Sequence, residues 1–151
     1  MPDIVDPETR SRMMSNIRGK DTKPELLIRH ALHAKGLRYR LHVKDIPGRP
    51  DMVFPRFRAV VFVHGCFWHG HNCSLFRLPD TRAEFWKVKI ERNKKRDKEV
   101  ATMLSENGWR YLVVWECATR GRGQLPFDTV VGQVTDWIRS SEDTLEIRGK
   151  S

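Results

Sequence analysis

The chain has 151 residues, one domain's worth, and enough to bury an ordinary core. No stretch approaches ~18 consecutive apolar residues, which excludes a transmembrane helix, and Asp3, Asp6 and Glu8 stand where a secretory signal would be apolar. Lys and Arg number 28 against 19 acids, a net charge of +9 that favours a polyanionic partner, nucleic acid first.

Residues 1–20 are polar, with Arg10, Arg12, Arg18 and Lys20, and read as an arm with room for a short helix over Arg10–Ile17. The capping box from Thr22 to Glu25, with Pro24 in the first turn, predicts a helix that Gly36 ends. Leu37–Val43 reads as a first strand. After the Pro47–Pro50 turn come two short strands, Asp51–Phe54 and Phe57–Val63, the second apolar on both faces as a covered strand would be. His64 to Leu78 fits neither period. A second capping box, Thr81 to Glu84, predicts a long helix ending at Asn107 and Gly108. Trp109–Glu116 is a further strand, Asp128–Ile138 a closing amphipathic helix, and residues 141–151 read as a flexible tail. The order predicts one α/β domain over 21–140, a mixed sheet flanked by helices.

Four features carry chemistry. HGCFWHGHNC gathers three of six histidines and two of three cysteines in residues 64–73. Thiolate and imidazole suit Zn²⁺, and Cys66, His71 and Cys73 with Cys117 would close a tetrahedral Cys₃His site. The alternative is three free thiols in a turn-rich loop, because an odd count argues against a disulfide framework. Asp51 opens one strand and His64 follows the end of the next, a placement that lets them meet at one sheet edge. Such a pair fits Mg²⁺ binding and proton transfer in phosphodiester hydrolysis, unless the Pro-Asp is only a turn. Trp86, Ile90, Asn93, Asp97, Val100 and Leu104 fall on one helical face, so Asp97 points inward. It needs a partner there, either a histidine of the 64–71 loop or an arginine. Phe67, Trp68 and Trp86 are either core or wedges for a base stack.

The stretches MMSNIRGKDTKPE, PGRPDMVF, VVFVHGCFWHGHNC, EFWKVKIERNKKRD and GWRYLVVWEC resemble the very-short-patch-repair (T:G mismatch) DNA endonucleases, in order from about Asp6 to Arg120. The resemblance implies a restriction-endonuclease-like α/β core with a structural zinc site. It implies a Mg²⁺-dependent nick 5′ of the thymine in a T:G mismatch left by deaminated 5-methylcytosine. Asp51 and the backbone carbonyl of Val63 would hold Mg²⁺, with His69 the general base oriented by Asp97. His64 and Glu25 would complete the active site. Cys66, His71, Cys73 and Cys117 match the zinc ligands, and Phe67, Trp68 and Trp86 the wedge. The arm, with Arg12, Met13 and Met14, would follow the minor groove. The implied setting is the bacterial cytosol. There a monomer would work beside a cytosine-5 DNA methyltransferase and mismatch-repair proteins, away from any membrane. The rival readings are a restriction or homing nuclease that cuts matched duplexes, and a non-enzymatic zinc module that binds DNA.

Overall fold

The structure is a computed structural model that describes residues 23–150. The arm, its expected helix over Arg10–Ile17, Arg12, Met13, Met14 and the cap at Thr22 lie outside the described residues. Chain order is α1 (Lys23–Ala34), β1 (Arg40–Leu41), β2 (Met52–Phe54), a 3-10 turn (Pro55–Phe57), β3 (Ala59–His64), α2 (Ala83–Glu106), β4 (Arg110–Trp115), the single turn α3 (Glu116–Thr119), α4 (Phe127–Arg139) and β5 (Thr144–Ile147).

The five strands form one sheet in sequence order. β1, β2 and β3 pair antiparallel, while β3, β4 and β5 run parallel. Parallel neighbours need long crossovers. The 65–109 segment with α2 makes the first, and the segment with α4 makes the second. Helices lie on both faces of a mixed sheet, the restriction-endonuclease-like α/β core expected above.

Strand alternation sorts the core into two halves. Met52, Phe54, Ala59, Val61, Leu112, Val114 and Ile147 face α1 and α4, where Ile28, Leu32, Val130, Val134 and Ile138 complete a continuous apolar cluster. Val53, Val60, Phe62, Val113 and Trp115 face the other way, beneath α2 and the 65–82 loop, together with Cys66, Leu104 and Cys117. α2 is long, yet only Ile90 and Leu104 are buried on it. It bridges its side of the sheet without sealing it.

Several boundaries differ from expectation for local reasons. The first strand shrinks to Arg40–Leu41, an exposed edge pair, because His42 turns left-handed at φ +53°. β3 starts at Ala59 rather than Phe57, since Pro55–Phe57 wind into a 3-10 turn closed by Arg58 at φ +51°. The Thr81 capping box does not form. The chain enters α2 through Arg82 at φ +57°, with no side-chain cap, and the Arg82 guanidinium lies 4.2 Å over the Phe85 ring. Gly36 does end α1, in the left-handed conformation at φ +86° that glycine adopts without strain. The expected tail is corrected most. Thr144–Ile147 pairs with β4, and Ile147 is buried.

Candidate active site and metal centre

Register builds the candidate metal centre. His64, the last residue of β3, lies opposite Trp115, the last of β4. Two residues beyond each come Cys66 and Cys117, so the parallel pair delivers both sulfurs to one end of the sheet. Cys117 sits in α3 just past the strand. The loop after β3 then folds back on itself: His71 N–H donates to the Cys66 carbonyl at 2.9 Å, and Phe76 N–H to that of Cys73 at 3.2 Å. All three cysteines are free thiols. The donor atoms of Cys66, His71, Cys73 and Cys117 lie within 4.8 Å of one another.

This set fits a zinc ion. His71 Nδ1 stands 3.6 Å from both Cys66 Sγ and Cys117 Sγ. A tetrahedron with Zn–S bonds of about 2.3 Å and Zn–N bonds of about 2.0 Å has edges of about 3.6 Å. Backbone amides already point at the sulfurs: Cys117 N–H donates to Cys66 Sγ and Gly149 N–H to Cys117 Sγ, each at 3.3 Å. Burial pushes the Cys66 thiol far up, and the Cys117 amide pulls it back. A thiolate in that position calls for a cation. Sequence reasoning missed two supports here. Glu116 Oε1 accepts the Cys66 N–H at 3.1 Å, and the Trp115 indole stacks flat on His71 at 3.9 Å.

A second cluster lies at the same end of the sheet. Asp51, just before β2, accepts the Val63 N–H at 2.6 Å. Its carboxyl is raised well above the usual carboxylate range, mainly by burial and then by Glu25 beside it. Glu25 is fully buried on α1 and pairs with Arg29 one turn on. Two neighbouring carboxyls, with a backbone amide fixing one of them, offer hard oxygen donors of the kind that suits Mg²⁺.

Asp97 meets a histidine rather than an arginine. Its Oδ2 lies 2.7 Å from His69 Nδ1. One turn earlier on α2, Asn93 Nδ2 donates to the Trp68 carbonyl at 2.8 Å. Two consecutive loop residues are thus pinned by one stripe of the helix, the stripe that periodicity marked. The carboxylate fixes the Nδ1–H tautomer and leaves the Nε2 lone pair to act as a base. His64 stacks on His69 at 3.8 Å and 5°. Burial first, then the His69 charge, holds His64 well below the usual imidazole pKa. With Asp97, the two imidazoles form a further group able to hold a metal ion.

Phe67, Trp68 and Trp86 are half-buried and pack edge to face, with centroids 5.3 to 5.7 Å apart. Lys89 Nζ lies 5.7 Å from the Trp68 ring and 5.8 Å from that of Trp86. One groove is lined by Asp51, Val63, His64, His69 and Asp97 together with these three aromatics.

The model of the family described as DNA mismatch endonuclease Vsr matches residues 2–75. The chain is 45% identical to the DNA mismatch endonuclease Vsr of Escherichia coli over 138 residues, 91% of this chain and 88% of that protein. The chain belongs to the Vsr family of DNA mismatch endonucleases. It is also 49% identical over 125 residues to the type II nicking enzyme V.XorIIP of Xanthomonas oryzae, covering 83% of this chain and 92% of that one. For the nicking enzyme V.NmeAIP of Neisseria meningitidis the identity is 42% over 122 residues, 81% of this chain and 87% of that one. The activity of the family is hydrolysis of DNA within the strand, and the groove of this Vsr-family chain gathers carboxylate, imidazole and aromatic groups in one place. Among the described residues, no helix is long and apolar enough to cross a membrane.

Proposed function

We propose that the protein nicks duplex DNA 5′ of the thymine in a T:G mismatch left by deaminated 5-methylcytosine, and so begins very short patch repair. The observation that carries this reading is the His69–Asp97 pair at 2.7 Å, in one groove with Asp51 and an aromatic trio. His69 Nε2 takes the proton of the attacking water while Asp97 stabilises the imidazolium that forms. The water oxygen bonds to phosphorus as the bond to the leaving sugar oxygen breaks. Asp51 and the Val63 carbonyl would hold Mg²⁺, with Glu25 as the further carboxylate. When bound, that ion supplies Lewis-acid stabilisation of the charge that builds on the phosphoryl oxygens. His64, kept neutral by burial, stands against His69 near the scissile phosphate.

Cys66, His71, Cys73 and Cys117 would hold a structural Zn²⁺, since four protein donors leave no open position for chemistry. Phe67, Trp68 and Trp86 enter the base stack beside the mismatch. The arm over residues 1–20, with Arg12, Met13 and Met14, follows the minor groove. The protein acts as a monomer in the bacterial cytosol, beside a cytosine-5 DNA methyltransferase and the mismatch-repair proteins.

Strand-specific labelling tests this reading on T:G, C:G and T:A duplexes of one sequence. The expected result is a single Mg²⁺-dependent nick 5′ of the mismatched thymine and intact matched duplexes. Cleavage of both strands, or equal cutting of matched DNA, would overturn it.

A further inference from the structure

β5 ends where the metal centre begins. β3, β4 and β5 are parallel, with Val63 opposite Val114 and Val114 opposite Ile147. Their C-terminal ends therefore reach the same end of the sheet. The first two strands lead to Cys66 and Cys117, and the third leads to Gly149.

Three residues of this last segment each hold a different part of the metal centre. Glu146 Oε1 accepts the Trp115 Nε1–H at 2.8 Å, fixing the indole on which His71 lies flat at 3.9 Å and 8°. Arg148 Nη2 donates to the carbonyl of Asn72 at 2.6 Å, between His71 and Cys73. The buried Gly149 N–H donates to Cys117 Sγ at 3.3 Å. The close approach at Gly149 requires glycine. A Cβ there would sit 2.2 Å from the Cys117 carbonyl oxygen and 2.7 Å from that of Gly123, both backbone atoms that cannot swing aside. The next residue locks the approach, because Lys150 N–H donates to the Gly123 carbonyl at 2.8 Å.

Each contact has a reason to matter to a bound cation. The Gly149 amide hydrogen bond fixes the direction of the Cys117 sulfur, as outer partners orient a metal's ligands. Three thiolates around one divalent ion leave a net negative charge, which the Arg148 guanidinium beside the loop offsets. The Glu146–Trp115 bond fixes the plane on which the imidazole ligand rests. Loss of a group that orients a ligand in this way typically costs about 10- to 100-fold in metal affinity.

We propose that residues 146–149 form the outer wall of the metal centre, a clasp without which the Cys/His set holds its ion loosely. The proposal rests on the zinc reading above. It also ties the C-terminal strand to catalysis, because His69 lies two residues before His71 in the clasped loop.

The test uses the full chain and its Arg148→Ala and Gly149→Ala variants. Zn²⁺ affinity is measured by competition with a chromogenic chelator. Co²⁺ is substituted as a spectroscopic probe, and far-UV circular dichroism in excess Zn²⁺ reports the fold. Wild type is expected to hold one Zn²⁺ per chain. Arg148→Ala should lose about tenfold in Zn²⁺ affinity and Gly149→Ala toward a hundredfold, the usual span for such supporting groups. Gly149→Ala should also shift the thiolate-to-Co²⁺ band. If Gly149→Ala fails to fold, Arg148→Ala decides alone, since it removes only an exposed side chain. Variants that match wild type in affinity and Co²⁺ spectrum would overturn the clasp. A wild-type chain that takes up no Zn²⁺ would overturn the zinc reading and the clasp with it.

Discussion

The two faces of the sheet are held by different physics. Under α1 and α4 the contact is almost wholly apolar, with Ile28, Leu32, Val130, Val134 and Ile138 all inaccessible to solvent. Under α2 the helix buries only Ile90 and Leu104, and the 65–82 loop supplies little beyond Cys66. Order on that side comes from directed contacts: the Cys/His set, Asp97 to His69, Asn93 to Trp68, and Glu116 to Cys66. Apolar burial is non-directional and closes over whatever it covers. Directed contacts can hold a loop and still leave a groove. A nuclease needs the second kind of support where the duplex must enter.

The largest expected effect breaks the directed side alone. Cys117→Ala should lose zinc, collapse the 65–82 loop and abolish nicking, because the binding energy of a structural zinc is folding energy, about 10–16 kcal/mol in zinc-finger peptides. Metal analysis and near-UV circular dichroism check it. A folded, active variant without zinc would show that the loop stands on hydrogen bonds instead.

Next come the groups that face the groove and are proposed to carry its chemistry. Asp51→Ala should abolish nicking and keep mismatch binding, since the proposed role of the carboxylate is to position the metal rather than the DNA. His69→Ala should slow single-turnover nicking by about two to four orders of magnitude, the usual range for a general base. Zinc content should stay at wild type in both. Affinity falling in step with rate would make Asp51 a structural residue.

The contrasting variant lies across the sheet. Ile138→Ala, in a fully buried position on α4, should cost about 2–5 kcal/mol of stability. Nicking at a temperature well below its melting point should be unchanged. Denaturant melts and single-turnover rates test the pair of expectations. A rate that fell with stability would mean that the two faces are mechanically coupled.

Legibility in the sequence followed the same division. Asp97 could be placed from spacing alone, because Trp86, Ile90, Asn93, Asp97, Val100 and Leu104 are the residues of α2 that a periodic stripe must turn inward, and none of them is exposed. Cys117 could be placed at a strand end, and the parallel pairing of β3 with β4 is what brings it to Cys66. β5 was illegible for a physical reason. Thr144–Ile147 is short, only Ile147 is buried, and its order comes from pairing with β4. A strand of that kind has no local signature, so the residues that follow it, Arg148 and Gly149, could not be connected to the metal loop. The failed cap at Thr81 is similar: the box motif is present, but the left-handed turn at Arg82 starts the helix one residue too late to use it. Asn93 was visible on the stripe, and only the fold gave it a partner.

The smallest expected effect probes what the open side is for. Trp68 packs edge to face against Phe67 and Trp86, and its carbonyl is held by Asn93, so Trp68→Ala removes a ring while the backbone stays pinned. If the trio were core, the loss would weaken all DNA binding alike through a loosened loop. If it enters the stack, the loss depends on the DNA. Unstacking a step costs a few kcal/mol in matched duplex and less at a mismatched pair, so the inserted ring is used more fully on T:G. Base–aromatic stacking is worth about 1–3 kcal/mol per base, and each ~1.4 kcal/mol is tenfold in affinity. Trp68→Ala should therefore weaken T:G binding by about ten- to a hundredfold and matched binding by much less, with zinc retained. Both affinities must be taken at one salt concentration, because phosphate contacts shift them together. Hydrogen bonds to the wobbled base edges should preserve part of the preference, since an aromatic face stacks on any base. Equal losses on the two duplexes would return the three rings to the core and leave the groove reading its mismatch by edges alone.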